Sequence, residues 1–318
     1  SVLIPSLGRP DALRRCLRSL AEQTAPPDEI LVVWQGTDHG TRDAAELERE
    51  RLGLGRRLIV SHAPVAGIVP AENLALGQAT GDVILLIDDD AVAPPDWIAR
   101  HLAHYADPRV GAVGGPADNH HPDGTAFPRR DRQPQGRLSW IGRIQGNMYD
   151  QPMEWRSRPP IEVDHLVGYN LSLRRRAFDR FEERLRPYWQ LFELDACWQA
   201  RRRGWLVRFD FAIVVQHHPR NTAYVAGRGG DLTVKIDNAA YNQAFVLAKH
   251  AGGARRWAMF AYLFGVGTTA LPGPLAWFLA VARHGRPRRE LAILARSSRA
   301  KWAGWRAGTR AREVRDDE

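Results

Sequence analysis

The run Val83-Ile84-Leu85-Leu86-Ile87 ends in three consecutive acids, Asp88-Asp89-Asp90. Five unbroken apolar residues predict a strand buried on both faces, as in a parallel sheet covered by helices. The C-terminal end of such a strand delivers carboxylates to the sheet edge, where open α/β sheets bind ligands. Three adjacent acids repel one another unless a cation, or hydrogen-bond donors from a ligand, neutralise them. The pattern points to a divalent metal carrying a phosphorylated substrate.

The preceding residues build the sheet this strand needs. Ser1-Val2-Leu3-Ile4-Pro5 is a short strand stopped by Pro5, and Asp11 to Gln23 is an amphipathic helix with Leu13, Leu17 and Leu20 on one face. Ile30 to Val33 is a second strand, Asp43 to Leu52 a polar helix and Arg57 to Ser61 a third strand. Pro70 to Ala79 is a helix closed by Gly81. This alternation predicts a right-handed, mostly parallel, doubly wound α/β sheet flanked by helices. Its active edge collects Pro5-Ser6, Trp34-Gln35-Gly36 and the acid triplet.

With 318 residues, 44% of them apolar, the chain is large enough for one sizeable domain and an appendage. The formal charge of +9 is uneven: from Arg283 to Glu318 eleven Lys and Arg face five acids, so this tail carries six of the nine charges. The nearly balanced remainder argues against a nucleic-acid-binding surface. Cys16 and Cys197 lie far apart, which suggests neither a disulfide framework nor a zinc site and fits a reducing compartment. The chain opens at Ser1 without an initiator Met, which implies trimming and leaves the question of a signal peptide open.

Six ordered motifs between Ser1 and about His218 resemble the family 2 glycosyltransferases, whose fold is GT-A. They are Ser1 to Ser6 with Arg9-Pro10; Ala71-Glu72-Asn73; Gly81-Asp82 before the acidic strand; Asp88 and Asp90 as Asp-x-Asp with Pro95-Asp96-Trp97 after it; Gly168 to Arg175; and Glu193-Leu194-Asp195 followed by Arg201 to Trp205. The resemblance implies a GT-A catalytic domain over 1–225, with a nucleotide-sugar-binding half over 1–115 and an acceptor and catalytic-base half over 116–225. It implies an inverting transfer from a nucleotide-sugar to a hydroxyl of a lipid-linked or cell-surface glycan, with Mg²⁺ or Mn²⁺. Pro5, Ser6, Arg9, Gln35, Asn73, Asp88 and Asp89 then fall on the donor side, and Asn170, Tyr188 and Trp189 on the acceptor side.

The chemistry asks for the same residue types. Breaking a sugar–phosphate bond leaves negative charge on the departing nucleoside diphosphate, which a metal held by oxygen and imidazole ligands stabilises. Asp90 is the expected direct ligand, with Asp88 at the metal, its bound water or the ribose, and Asp89 toward the nucleotide. The resemblance adds a histidine after the strand Ile213 to Gln216: His217 by spacing, with His218 as the alternative. The acceptor hydroxyl needs a general base. Glu193 takes that position in the resemblance, one methylene longer than the usual aspartate, and Asp195 competes because only one of the two faces the reacting centre. His120-His121 is expected in a solvent-exposed loop. Three positions depart from the family pattern: Trp34 stands where an acid often binds the base, Glu72 where an arginine is usual, and Phe192 where an acid often precedes the catalytic one. Trp34 is equally readable as a base-stacking or a packed aromatic.

The region 226–318 is of another compositional class. Trp257 to Ala282 has no charged residue, is flanked by Arg255-Arg256 and Arg283, and is broken by Leu271-Pro272-Gly273-Pro274. Neither half supplies the ~20 helical residues that cross about 30 Å of hydrocarbon. The segment 257–282 reads as a re-entrant or interfacial hairpin on the cytoplasmic face of a membrane, with a buried packing helix as the alternative. The basic tail 283–318, with Trp302 and Trp305, suits an anionic surface. A haloacid-dehalogenase-like phosphohydrolase and a degenerate nucleotide-sugar-binding protein are the rival functions.

Overall fold

The computed structural model describes residues 1–131, 134–146, 148–187, 191–219 and 232–316. It divides into two compact units: Ser1–Arg137, Gln145–Phe181 and Glu193–Tyr224 form the first, and Leu138–Ile144, Glu182–Phe192 and Val225–Glu318 the second.

In the first unit, strand and helix alternate as the hydrophobic pattern predicts: β1 (Val2–Ser6), α1 (Pro10–Ala21), β2 (Ile30–Gln35), α2 (His39–Arg51), β3 (Leu58–Ala63), α3 (Ile68–Gln78) and β4 (Val83–Ile87). Leu13, Leu17 and Leu20 of α1 are buried, as one amphipathic face requires. α2 begins earlier than its composition suggests because the Asp38 side chain accepts from the Thr41 N–H and caps it. The chain continues through β5 (Ala91–Val92), α4 (Trp97–His104), β6 (Val110–Gly114), β7 (Ala117–Asn119), the short paired β8 (Arg137–Leu138) and β9 (Ile144–Gln145), β10 (Ile161–Glu162), β11 (Asn170–Arg174), α5 (Phe192–Arg202), β12 (Leu206–Phe209) and β13 (Val215–His217).

The main sheet has the order β10-β12-β6-β11-β4-β1-β2-β3. Its first half, β3-β2-β1-β4, is parallel throughout. β11 runs antiparallel between β4 and β6, opposing Asn170 to Ile87. That register sets Gly168 and Tyr169, which precede β11 on the chain, beside the end of β4. A second, three-stranded sheet β5-β13-β7 opposes His217 to Ala91 on one side and to Asn119 on the other. Two sheets therefore meet at the acid triplet: β4 leads into it and β5 leaves it.

The second unit is helical: α6 (Leu232–His250), α7 (Gly253–Ala261), α8 (Pro274–His284) and α9 (Pro287–Asp316). α6 and α9 pack closely because Gly304 and Gly308 lie under the carbonyls of Tyr241 and Phe245, where a β-carbon would collide. The buried Lys301 ammonium donates to the carbonyls of Leu263, Leu271 and Pro272, satisfying the backbone of the turn between α7 and α8. No helix among the described residues is long and apolar enough to cross a membrane. α8 has no buried residue, whereas Met259, Tyr262, Leu263 and Leu271, which precede it within 257–282, are buried.

Candidate active site

The acid triplet divides its tasks by direction. Asp89 is 0% exposed and turns inward, accepting from Ser6 Oγ at 2.6 Å and pairing with Arg9 at 2.6 Å. Burial pushes its carboxyl up to about 7 against the pull of Arg9. Asp88 and Asp90 each reach His217, and the second oxygen of Asp90 pairs with Arg9. Among the described residues, Asp88, Asp90 and His217 form a group whose ligand atoms all lie within 4.8 Å of one another. His217 Nε2 stands 3.2 Å from Asp90 Oδ1 and 3.6 Å from Asp88. No hydrogen-bond donor is aligned on the buried Asp90 Oδ1. Two carboxylates and an imidazole fit Mg²⁺ or Mn²⁺.

The imidazole is oriented from behind. His217 Nδ1 lies 2.8 Å from Asn119 Oδ1, and the Asn119 amide and backbone N–H both donate to Asp150. The Nδ1 proton on Asn119 leaves the Nε2 lone pair for an ion. Tyr169 stacks over the same ring, centroids 5.7 Å apart. Neither Asn119 nor Asp150 sits in a recognisable sequence motif, and Asn119 meets His217 across 98 residues of chain only because β7 pairs with β13.

Burial opposes a charge on His217, but the carboxylates of Asp88 and Asp90 outweigh it and push the imidazole up to about 9. Below that value an ion must displace a proton from Nε2. Mn²⁺ affinity is therefore expected to rise about tenfold per pH unit from pH 6 to 8. Calorimetric titration at three pH values checks this, and a flat profile would remove the imidazole from the ligand set.

The other residues expected at the site are placed by their contacts. Pro5 and Ser6 are buried, and the Ser6 hydroxyl donates to Asp89. Asp89 is wholly buried between Ser6 and Arg9. Gln35 is buried, its carbonyl accepting from the Gly67 N–H at 2.7 Å and its amide donating to the Ser6 carbonyl, so it braces two loops. Asn73 exchanges two hydrogen bonds with the Phe181 backbone. Asn170, 1% exposed, accepts from Trp97 Nε1 and donates to the carbonyls of Pro116 and Ile213, so its amide ties core elements together. His218 stacks on His120 and stays outside the triad; His120 is half-buried and bonded to Gln216, while His121 is exposed. Trp34 is a packed aromatic, with His62 stacked on it at 3.8 Å. Arg9 reaches Asp89 and Asp90 together. Tyr188 and Trp189 lie outside the described residues.

On α5, Glu193 is half-buried and its Oε1 accepts from the Gly168 N–H at 3.0 Å, beside the end of β4. Asp195 is 0% exposed and accepts from Gln199 at 2.8 Å. Glu72 on α3 is 3% exposed, with Oε2 hydrogen-bonded to nothing. Burial, then the charges of Asp88 and Glu193, hold its carboxyl well above the usual carboxylate range.

The family model described as "Glycosyl transferase family 2" matches residues 1–182, more than half of the chain and the part that carries the acid triplet. The chain belongs to glycosyl transferase family 2. Among curated relatives, a glycosyltransferase of Haloferax volcanii, AglE, is 28% identical over 134 residues, 41% of this chain and 43% of its own. An N-acetylglucosaminyltransferase of Rhizobium meliloti is 31% identical over 118 residues, 36% of this chain and 27% of its own. The chain thus spans less than half the length of these family 2 relatives. In fold it is similar to S. aureus TarS 1-349 solved with UDP-GlcNAc, at a TM-score of 0.58 and 15% identity over 100% of this chain and 91% of that one. It is also similar to a mannosyltransferase of Pyrobaculum calidifontis solved with GDP-Man and Mn²⁺, at 0.54 and 17% over 100% and 87%. The GT-A-like mixed sheet flanked by helices is therefore shared with these solved structures at low identity.

Proposed function

We propose that this family 2 chain transfers a sugar from a nucleotide-sugar donor to a hydroxyl of a glycan or lipid-linked acceptor, with inversion and with Mg²⁺ or Mn²⁺ as cofactor. The observation that carries the reading is the Asp88, Asp90 and His217 triad at the sheet edge. An ion held there would supply charge neutralisation for the departing nucleoside diphosphate. The relatives solved with GDP-Man and Mn²⁺ and with UDP-GlcNAc support such a donor.

Glu193 is the general base in this reading. It stands partly open beside the triad, whereas Asp195 is sealed in the core and bonded to its own helix. Taking the acceptor proton on one side while the diphosphate leaves on the other is a direct displacement, which inverts the anomeric carbon. A haloacid-dehalogenase-type hydrolase is disfavoured, since its acids follow the first strand and these follow β4. The test is a thermal-shift panel of UDP-, GDP- and dTDP-sugars with and without Mn²⁺, on wild type and Asp90→Ala. Stabilisation by one nucleotide class, dependent on metal and lost in the variant, is the expected result. No stabilisation by any of them refutes the donor site, and binding without turnover of donor supports the degenerate binding protein.

The second unit supports a peripheral membrane role on the cytoplasmic face. Trp257 is 69% exposed, Phe278 63% and Leu279 59%, on α7 and α8, and Arg283, Arg286, Arg288 and Arg289 follow them. Exposed aromatic and aliphatic residues bordered by arginines match an anionic bilayer surface, which the cytoplasmic leaflet offers. Sedimentation with vesicles of phosphatidylglycerol and phosphatidylcholine is expected to carry the protein down, and Phe278→Glu with Leu279→Glu to cut the bound fraction about tenfold. Equal recovery of both proteins in the supernatant would end the membrane reading.

A further inference from the structure

We propose that Glu72 reads the transferred sugar, its carboxyl group hydrogen-bonding a ring hydroxyl of a neutral hexose or N-acetylhexosamine in the donor. The inference rests on the transferase reading and adds a specificity-determining residue to it.

Glu72 has no reason to be buried on the protein's own account. A carboxyl taken out of water without a partner costs stability, and buried polar atoms are nearly always paired. Yet Glu72 is 3% exposed and its Oε2 has no hydrogen bond, whereas the buried Glu48 of α2 is paired with Arg18. The side chain is also held in place. α3 starts at Gly67, whose N–H is bound by Gln35, and the next residue, Asn73, is clasped on both amide edges by the Phe181 backbone. Ala71, Ala75 and Leu76 bury the same helix.

α3 enters at the carboxyl edge of the sheet, where Gln35 at the end of β2 accepts from the Gly67 N–H, and Glu72 follows in the next turn, within reach of the charges of Asp88 and Glu193. In a direct displacement the sugar must sit between the diphosphate, at the triad, and the base. A side chain that feels both groups borders the space the sugar occupies. Its chemistry suits a hydroxyl: burial favours the neutral acid, which donates one hydrogen bond and accepts another. It offers no cation to the carboxylate of a uronic-acid donor, so acidic sugars are discriminated against.

The experiment compares a nucleotide-sugar that stabilises the wild type with the corresponding sugar-free nucleoside diphosphate, both with Mn²⁺, by calorimetry. Glu72→Ala and the shorter Glu72→Asp are expected to weaken nucleotide-sugar binding roughly tenfold to thirtyfold, the loss of one or two hydrogen bonds. Affinity for the sugar-free diphosphate stays within about twofold, and Glu72→Gln, which keeps a donor and an acceptor, retains most of the sugar-dependent gain. Equal losses for both ligands would make Glu72 a diphosphate or structural residue and overturn the inference, as would no loss for either. Glu72→Asp and Glu72→Gln keep a polar group at the site and remain informative if the alanine variant does not fold. Failure of the wild type to bind any nucleotide-sugar refutes the transferase reading itself, a result distinct from a variant effect.

Discussion

Asp90→Ala is expected to lower sugar transfer by about a thousandfold or more, the equivalent of ~4 kcal/mol of lost stabilisation on the departing diphosphate. Mn²⁺ titration should show the loss of affinity directly. Two neighbours provide the contrast. Asp90 is a triad member that reaches His217, while Asp89, one residue earlier, is a buried partner of Ser6 and Arg9. Asp89→Ala leaves Arg9 short of a buried partner and is expected to cost about 3 kcal/mol of stability, seen as a lower unfolding midpoint. A variant pair in which Asp89→Ala lost metal affinity at unchanged stability and Asp90→Ala did not would reverse the assignment.

Glu193→Gln is expected to reduce turnover by roughly 10²- to 10⁴-fold while donor affinity stays near wild type. The amide keeps the size of the side chain and its acceptor for the Gly168 N–H, but takes no proton from the acceptor hydroxyl. Asp195→Asn at the same helix should behave differently: Asp195 is sealed in the core and bonded to Gln199, so its loss registers in stability before chemistry. If Asp195→Asn abolished turnover in folded protein and Glu193→Gln did not, the base would be Asp195. Pre-steady-state mixing with excess acceptor separates the chemical step from product release.

The roles proposed for Glu72, reading the sugar, and for Glu193, acting as base, make different demands on one site. One requires a carboxyl kept neutral, the other a carboxylate ready to accept a proton. Their surroundings differ accordingly: Glu72 is sealed with no donor on Oε2, and Glu193 is half-open with a backbone N–H on Oε1. An N–H bonded to a carboxylate favours its charged form, whereas burial disfavours it.

The parallel half of the sheet was legible because each of its elements carries its own burial pattern. Val83 to Ile87 is apolar on both faces, α1 has its leucines on one, and the acids follow the strand within three residues, so the carboxylates had to emerge at the sheet edge. The family resemblance located Glu193 on a helix, and the prolines located the break at Leu271 to Pro274. Side-chain direction at the edge was less legible. Pro5, Ser6, Gln35, Asn73 and Asn170 all sit in motifs near the site, but each is turned into the protein or bound to its backbone.

Element type and the arrival of the triplet at one sheet edge are written in short-range periodicity, because burial of an amphipathic face is a property of consecutive residues. The metal-competent arrangement is not. His217 reaches Asp88 and Asp90 only because β13, three residues long, pairs with β5 and β7 far away in the chain, and so short a strand has almost no periodic signal of its own. Its register decides that His217 faces the acids and His218 does not, since a shift of one residue would exchange the two faces. The same long-range packing turns Asp89 inward, puts Asn119 behind His217 and leaves Glu72 buried with an unclaimed oxygen.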